Sequence, residues 1–293
     1  MQLYTLRIVS IVAAAFVYMM FDLFNKRNVP SLWAYATFMY GFALTLLYLN
    51  FMQIAVSLAV ALIILGVGYV VYKIGQLGGA DVIEFAALSL MLPVLGFPFV
   101  TSGISQYGIP FALSLLVNTG IVALAIVPLY YIPNAARKLK KPLSSYITRK
   151  SVFMASLMAV AYAAFIAFVL LEVGPNIAGV TVLAIMMASS FFIMLFSVPI
   201  MYSMIEYVGI GRFEAGDIIA LNLMDARNVS RLRKRIRGFD RLVTTGTMRQ
   251  MRRQKIKDKL PVYKNAMPFA VPIFIGVIMT LLFGNLIFFV LRI

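Results

Sequence analysis

The chain has 293 residues, of which 62% are hydrophobic and 12% charged, and its formal net charge is +16. Soluble domains carry about 25% charged residues, so this composition excludes an ordinary soluble domain and indicates a polytopic membrane protein. An excess of basic residues is typical of nucleic-acid-binding proteins. In a membrane protein, the enrichment of Lys and Arg in cytoplasmic loops explains such an excess more simply.

Two residue types are absent, cysteine and histidine. Without cysteine the chain forms no disulfide and offers no thiolate as a nucleophile or metal ligand. Without histidine, Ser-His-Asp catalysis and nearly every zinc or haem arrangement are excluded. We therefore expect no metal and no cofactor, and any acid–base chemistry falls to Asp, Glu, Lys or Tyr.

Eight apolar segments along the chain approach or exceed the length of about 20 residues that crosses a bilayer. They cover residues 4–21, 32–51, 54–73, 81–98, 111–132, 152–173, 178–204 and 267–291. The first has no cleavage site of the signal-peptide kind, so we expect it to be a retained span. Residues 97–110 are uncharged and rich in Gly, Pro and Ser, which predicts an outer loop or a re-entrant segment. The pattern predicts an all-α, polytopic membrane helix bundle of about eight transmembrane helices.

The connecting segments alternate between basic and uncharged. Those after the first, third, fifth and seventh spans hold almost all Lys and Arg, and the others hold none. Basic loops face the cytoplasm, so this alternation predicts that both termini lie outside. The chain then divides into five parts. They are a membrane core over residues 1–132, a basic cytoplasmic loop over 133–151, two further membrane helices over 152–204, a basic cytoplasmic loop over 205–264 and a final membrane helix over 265–293.

A carboxylate opens the fourth span, in the stretch Gly78-Gly79-Ala80-Asp81. An acidic side chain within a membrane costs roughly 2.5–3.5 kcal/mol on insertion scales, which favours a functional role for it. The two glycines lack a Cβ, so a substrate backbone can approach the carboxylate, and we expect Gly79 to be the closer of the two. The alternative is structural: the glycines end one helix and Asp81 caps the next.

Three acidic residues lie within the first four spans, Asp22, Asp81 and Glu84, all at predicted cytoplasmic helix ends. Two adjacent carboxyl groups can share a proton and activate a water molecule for attack on a peptide carbonyl. Asp22 ends its helix and Asp81 begins its own, so the helix dipoles predict that Asp22 holds the shared proton. Glu84 lies one turn from Asp81 and is expected to modulate the proton affinity of the pair. The alternative is that Asp22 is a juxtamembrane charge that balances Lys26 and Arg27.

These motifs resemble those of the archaeal preflagellin and type IV prepilin peptidases, which are intramembrane aspartyl proteases of the GxGD type. The resemblance covers about the first 130 residues and is carried by Phe21-Asp22-Leu23, Arg27, Val29-Pro30 and Gly78-Gly79-Ala80-Asp81. The last span, with Pro268, Pro272 and Gly276, is also similar to the family's final helix, though less specifically. The resemblance implies that Asp22 and Asp81 are the catalytic pair.

The implied substrates are precursors of archaellins or type IV pilin-like proteins, cleaved after a short basic leader at the cytoplasmic face of the cell membrane. The chain departs from the family in two ways. Without cysteine it lacks the four-cysteine segment of many bacterial members, which puts their N-methylating activity in doubt, and it has eight predicted spans where six are usual. The presenilin and signal-peptide-peptidase group is a poorer match, because Phe21 replaces its Tyr, Ala80 replaces its second Gly and no Pro-Ala-Leu motif occurs.

A second class of function stays open, in which Asp22 and Asp81 carry protons or bind a cation. The protein would then be a proton- or cation-coupled transporter or a non-enzymatic component of pilus or archaellum assembly. Transporters usually show an inverted repeat and broken helices at the midplane, and the sequence shows no repeat. Residues 227–259 contain no run of aromatics to stack on bases, so we expect anionic lipid headgroups, and no nucleic acid, as partners of the basic loops.

Overall fold

The computed structural model describes residues 2–25, 28–47, 50–74, 77–93, 110–139, 141–172, 174, 176–214, 216–236, 238–254, 259–264 and 267–291. The helices are α1 (Gln2–Phe24), α2 (Ser31–Leu46), α3 (Phe51–Ile74), α4 (Gly79–Met91), α5 (Phe111–Lys138), α6 (Arg149–Glu172), α7 (Ile177–Leu195), α8 (Ser197–Met204), α9 (Ala226–Arg235), α10 (Thr245–Arg253), α11 (Ala270–Phe283) and α12 (Leu286–Leu291). Two strands, β1 (Ile205–Val208) and β2 (Leu260–Tyr263), form an antiparallel pair. The predicted helix bundle is confirmed, with this small sheet as an addition.

Five helices of the described part are long and apolar enough to cross a membrane, namely α1, α3, α5, α6 and α7. Their outer faces carry large, exposed apolar side chains, such as Leu62 and Ile63 of α3, which are 68% and 64% exposed. Such surfaces suit a hydrocarbon environment, in which helices satisfy their own backbone groups. The chain is therefore a multi-pass membrane protein.

Several predicted spans have different bounds in the structure. The helices α2 and α4 contain 16 and 13 residues, fewer than the predicted segments. The fifth helix passes through Pro128 and Pro133 and ends at Lys138, so the predicted loop over 133–151 begins within a helix. Proline is tolerated in membrane helices because neighbouring groups satisfy the carbonyls that it frees. The predicted outer loop or re-entrant segment, except for Pro110, lies outside the described residues.

The last two predicted spans are each divided. The segment over 178–204 forms α7 and α8, which separate at Phe196. The final segment forms α11 and α12, which separate at Gly284, whose φ of 72° lies in the left-handed region that glycine adopts without strain. Hydropathy does not reveal either break because the sequence stays apolar on both sides of it.

The helix α4 lies at the centre of the N-terminal half, where it packs against α1, α2 and α3. Almost every side chain from Val82 to Met91 is buried. A Cβ at Gly41 of α2 would lie 2.7 Å from the Ala87 carbonyl oxygen, so only glycine permits this close approach. These contacts fix α4, and with it the position of Asp81 near its N-terminus.

The helix α11 is held between α1 and α5. A Cβ at Gly276 would lie within 3.0 Å of the α5 backbone, which again requires a small residue. The buried Asn118 of α5 donates to the Thr280 hydroxyl at 2.8 Å and to the Gly284 carbonyl at 2.7 Å, and it accepts from the Leu286 N–H at 3.0 Å. One amide therefore fixes both α11 and the break that follows it.

Residues 205–264, predicted as a basic loop, contain a small folded unit that we call the basic subdomain. Its first and last segments are β1 and β2, with Ile205 opposite Tyr263, so the chain enters and leaves it at one place. Side chains from its strands, helices and turns form a separate apolar cluster. They are Val208, Ile210, Phe213, Ile219, Leu232, Ile236, Phe239, Val243, Met251, Leu260 and Val262. These apolar residues are dispersed among cations in the sequence, which is why the segment resembled a loop.

Candidate functional site

Asp22 lies in the last turn of α1 and is 8% exposed. Its Oδ2 accepts a hydrogen bond at 2.9 Å from the N–H of Ala270, the first residue of α11 and 248 positions away in the sequence. Phe269, at the N-cap position of α11, supplies no side-chain cap. Asp22 therefore caps α11 from another helix and satisfies one of the N–H groups that every helix N-terminus leaves unpaired.

Asp81 is the third residue of α4 and is half-buried. Its Oδ2 accepts a hydrogen bond from the Gly78 N–H at 3.0 Å, the contact that an acidic residue makes when it reaches back across the first turn of its helix. Asp81 thus has the capping role that the structural interpretation assigns to it. A carboxylate has about four acceptor sites and this bond uses one of them, so capping does not exclude catalysis.

The packing of α1 against α4 brings the carboxyl groups of Asp22, Asp81 and Glu84 close enough to interact electrostatically. Glu84 is fully buried, and neither of its oxygens has a hydrogen-bond partner among the described residues. Among the residues that the structure describes, no group of three Asp, Glu, Cys or His side chains is placed to bind a metal ion. The arrangement is a pair of oriented aspartates with a buried third carboxyl beside them.

Tyr18 also belongs to this cluster, although no sequence motif singled it out. It lies one helical turn before Asp22, is fully buried, and is close to Glu84 and Asp81. The spacing of four residues from Asp22 places both side chains on one face of α1, a signal that the sequence does contain. Asp22 and Asp81 therefore each have a second polar side chain one helical turn away on the same helix face, Tyr18 before Asp22 and Glu84 after Asp81.

The prediction that Asp22 holds the shared proton considered only the helix to which Asp22 belongs. The structure adds the N-terminus of α11, whose Ala270 N–H points at Asp22. Both aspartates thus accept an N–H from a helix N-terminus, and the dipole argument no longer distinguishes them. Lys26 and Arg27, the cations of the alternative interpretation, lie outside the described residues.

The two glycines that precede Asp81 lie at different distances from its carboxylate. A Cβ at Gly78 would lie 2.8 Å from the Asp81 Oδ2, whereas a Cβ at Gly79 would meet the Tyr72 ring at an ordinary 3.6 Å. The Asp81 carboxylate therefore lies beside Gly78, because α4 begins at Gly79 and its first turn directs the Asp81 side chain back to Gly78. Which of the two glycines a substrate approaches more closely stays a prediction. Ala80, the second residue of α4, is half-buried.

No protein family, curated protein or solved structure matches this chain. The function must therefore be inferred from the residues and their geometry.

The two adjacent glycines allow a matched test of the leader-peptide cleavage that the sequence resemblance implies. Gly78→Ala places a methyl group against the Asp81 carboxylate, and we expect the cleavage rate to fall about 10- to 100-fold, since a misplacement of about 1 Å costs up to 100-fold. Gly79→Ala should change the rate less than about threefold, because alanine is well tolerated inside a helix. Rates are measured at equal amounts of folded protein. A larger loss for Gly79→Ala than for Gly78→Ala would contradict this geometry.

Glu84 allows a test that does not depend on any activity. A buried carboxyl group without a partner is destabilising, so its replacement by the apolar Met should raise the free energy of unfolding by about 1–3 kcal/mol. Glu84→Gln is the control, because its amide stays buried and unpaired. We expect the midpoint of thermal unfolding in detergent to rise for Met and not for Gln. A fall for Met would show that Glu84 has a stabilising partner.

Proposed function

We propose that this protein is an intramembrane aspartyl endopeptidase in which Asp22 and Asp81 form the catalytic pair. The observation that supports this most strongly is that α1 packs against α4 with the two carboxyl groups within range of an electrostatic interaction, and that each accepts a hydrogen bond from a backbone N–H. Oriented carboxyl pairs that share a proton are the chemistry of aspartic proteases. The absence of His and Cys leaves few other routes to peptide hydrolysis.

The reaction needs one protonated and one ionised carboxyl group, as in other coupled pairs. The ionised carboxylate removes a proton from a water molecule, whose oxygen attacks the scissile carbonyl carbon. The protonated carboxyl donates its proton to the carbonyl oxygen, which gives a neutral tetrahedral intermediate. The carboxyl group that accepted the proton of water then protonates the leaving nitrogen, while the other carboxylate takes a proton from a hydroxyl of the intermediate. The C–N bond breaks, a carboxylic acid and an amine form, and the pair again holds one proton.

The surroundings of the pair suit this chemistry. Asp22 is nearly buried, and electrostatic interactions are stronger where water is excluded. Asp81 is half-buried and follows the exposed Gly78, which has no side chain to obstruct an extended substrate. A peptide can therefore reach Asp81 from the side of Gly78, while Asp22 and Glu84 remain enclosed by helices.

The substrates that we propose are archaellin or type IV pilin-like precursors, cleaved after a short basic leader. This part of the proposal depends on the motifs around Asp22 and Asp81. The basic subdomain and the aspartate pair lie at the same end of the bundle, because Ala270 follows the subdomain and donates to Asp22. Since the basic subdomain holds more than half of the chain's 26 Lys and Arg residues, the positive-inside rule favours the cytoplasmic face for both.

Substitution of either aspartate tests the proposal. Asp22→Asn and Asp81→Asn keep the size and polarity of the side chain but cannot exchange the shared proton, so each should lower precursor cleavage by at least about 100-fold. Asp240→Asn, the same change at an exposed residue of the basic subdomain, is the control and should keep the wild-type rate.

The measurement is incubation of the purified protein in detergent with a precursor that has a basic leader before an apolar helix. Mass spectrometry then follows the shortened product, and the thermal unfolding of each variant is recorded in parallel. If folded Asp22→Asn or Asp81→Asn protein cleaves at near the wild-type rate, the pair is not catalytic. If the wild-type protein cleaves no such precursor, the substrate assignment is wrong.

A further inference from the structure

The basic subdomain contains a cavity of about 220 Å³ between α9 and β2. Three cationic side chains line it, Arg231 and Arg235 from α9 and Lys259 from the residue before β2, together with the amide of Asn228. Apolar side chains, among them that of Leu232, and the acidic residue Asp225 make up the rest of the lining. The cavity therefore combines convergent positive charge with an apolar wall.

The local sequence explains why these groups converge. Asn228, Arg231 and Arg235 are spaced by three and four residues, so they lie along one face of α9. Leu232, on the adjacent face, is buried in the apolar cluster of the basic subdomain and sets the rotation of α9. Lys259 reaches the same cavity from the other side because β2 begins at the next residue.

The charges of the cavity are not balanced within the described part of the chain. The ion pairs found there are those of Lys264, whose Nζ lies 2.8 Å from Asp217 and 3.7 Å from Glu214. The one acidic residue of the lining is Asp225, whose Oδ1 accepts the Arg227 N–H at 3.3 Å and caps α9. Three cations around one small cavity repel each other, and an anion between them relieves that repulsion.

The cavity also lies close to the surface of the membrane. Lys138, near the end of the membrane helix α5, donates from Nζ to the Ser203 carbonyl of α8 at 3.2 Å, and Lys near a helix end marks the interface. Tyr207 of the cavity lining is three residues beyond Met204, the end of α8, which is about 10 Å of strand. Headgroups occupy about 5–8 Å on each side of the hydrocarbon core, so they lie within reach of the cavity.

We propose that this cavity binds the phosphate group of an anionic membrane lipid. The guanidinium groups of Arg231 and Arg235 suit the oxygens of a phosphate, Lys259 adds a third positive charge, and the Asn228 amide donates to a further oxygen. Proximity to the bilayer and the apolar wall favour a lipid over free phosphate as the source of that group. The site is independent of the peptidase reaction, and it anchors the basic subdomain at the membrane face.

The test is lipid binding to the full-length protein in detergent, followed by native mass spectrometry. The probes are phosphatidylglycerol and the zwitterionic phosphatidylcholine. Wild-type protein should retain phosphatidylglycerol about tenfold more strongly, and Arg231→Gln/Arg235→Gln should lose that preference, since each basic side chain near the surface contributes about 1 kcal/mol. The control Arg252→Gln/Arg253→Gln removes the same charge from the exposed end of α10 and should stay within about twofold of wild type.

Two further arms complete the experiment. Lys259→Gln, a single exposed change, should weaken phosphatidylglycerol binding about three- to tenfold and guards against a folding defect in the double variant. Equal losses in the α9 and α10 variants would show diffuse attraction and overturn the site. Displacement of phosphatidylglycerol by an equal concentration of inorganic phosphate would overturn the assignment to a lipid.

Discussion

The hydrogen bond from the Ala270 N–H to the Asp22 carboxylate joins the first membrane helix to the eleventh helix. An unpaired N–H group in a hydrocarbon environment costs several kcal/mol, and a carboxylate without a donor costs more. The 2.9 Å bond satisfies both groups at once. It therefore joins the start of α11 to the buried end of α1 and orients the Asp22 carboxylate.

The rest of the bundle supports this contact. Asn118 holds α11 against α5, and the close approach at Gly41 holds α4 against α2. The Arg7 guanidinium of α1 donates to the Met91 carbonyl of α4 at 2.8 Å, so the helices that carry Asp22 and Asp81 are also tied to each other. The cluster is unfavourable for stability, because Glu84 has no hydrogen-bond partner among the described residues. Acidic groups that cluster inside a membrane helix bundle are typical of a functional site. Such residues lower the stability of the fold and are kept because the function needs them.

Much of the fold follows from composition and hydropathy, because α1, α3, α5, α6 and α7 are long apolar segments with polar ends. The local placement of Asp22 and Asp81 at helix ends also follows from the sequence. Three features do not. The cap on α11 joins residues 248 apart, the choice between Gly78 and Gly79 depends on where α4 begins, and the core of the basic subdomain comes from apolar residues dispersed among cations. The first and the third depend on tertiary contacts that no local pattern encodes, whereas the second is a contact within the first turn of α4.

The most direct test of the shared aspartate site is the binding of a peptide whose scissile amide is replaced by a secondary hydroxyl. Such a group imitates the tetrahedral intermediate and must contact both carboxyl groups, and analogues of this kind bind at least about 100-fold more tightly than substrates. We expect the compound to bind the wild-type protein and to raise its unfolding temperature, and to bind Asp22→Asn and Asp81→Asn at least about 100-fold more weakly. Equal affinity for the wild-type protein and for either variant would show that the two aspartates do not form one site.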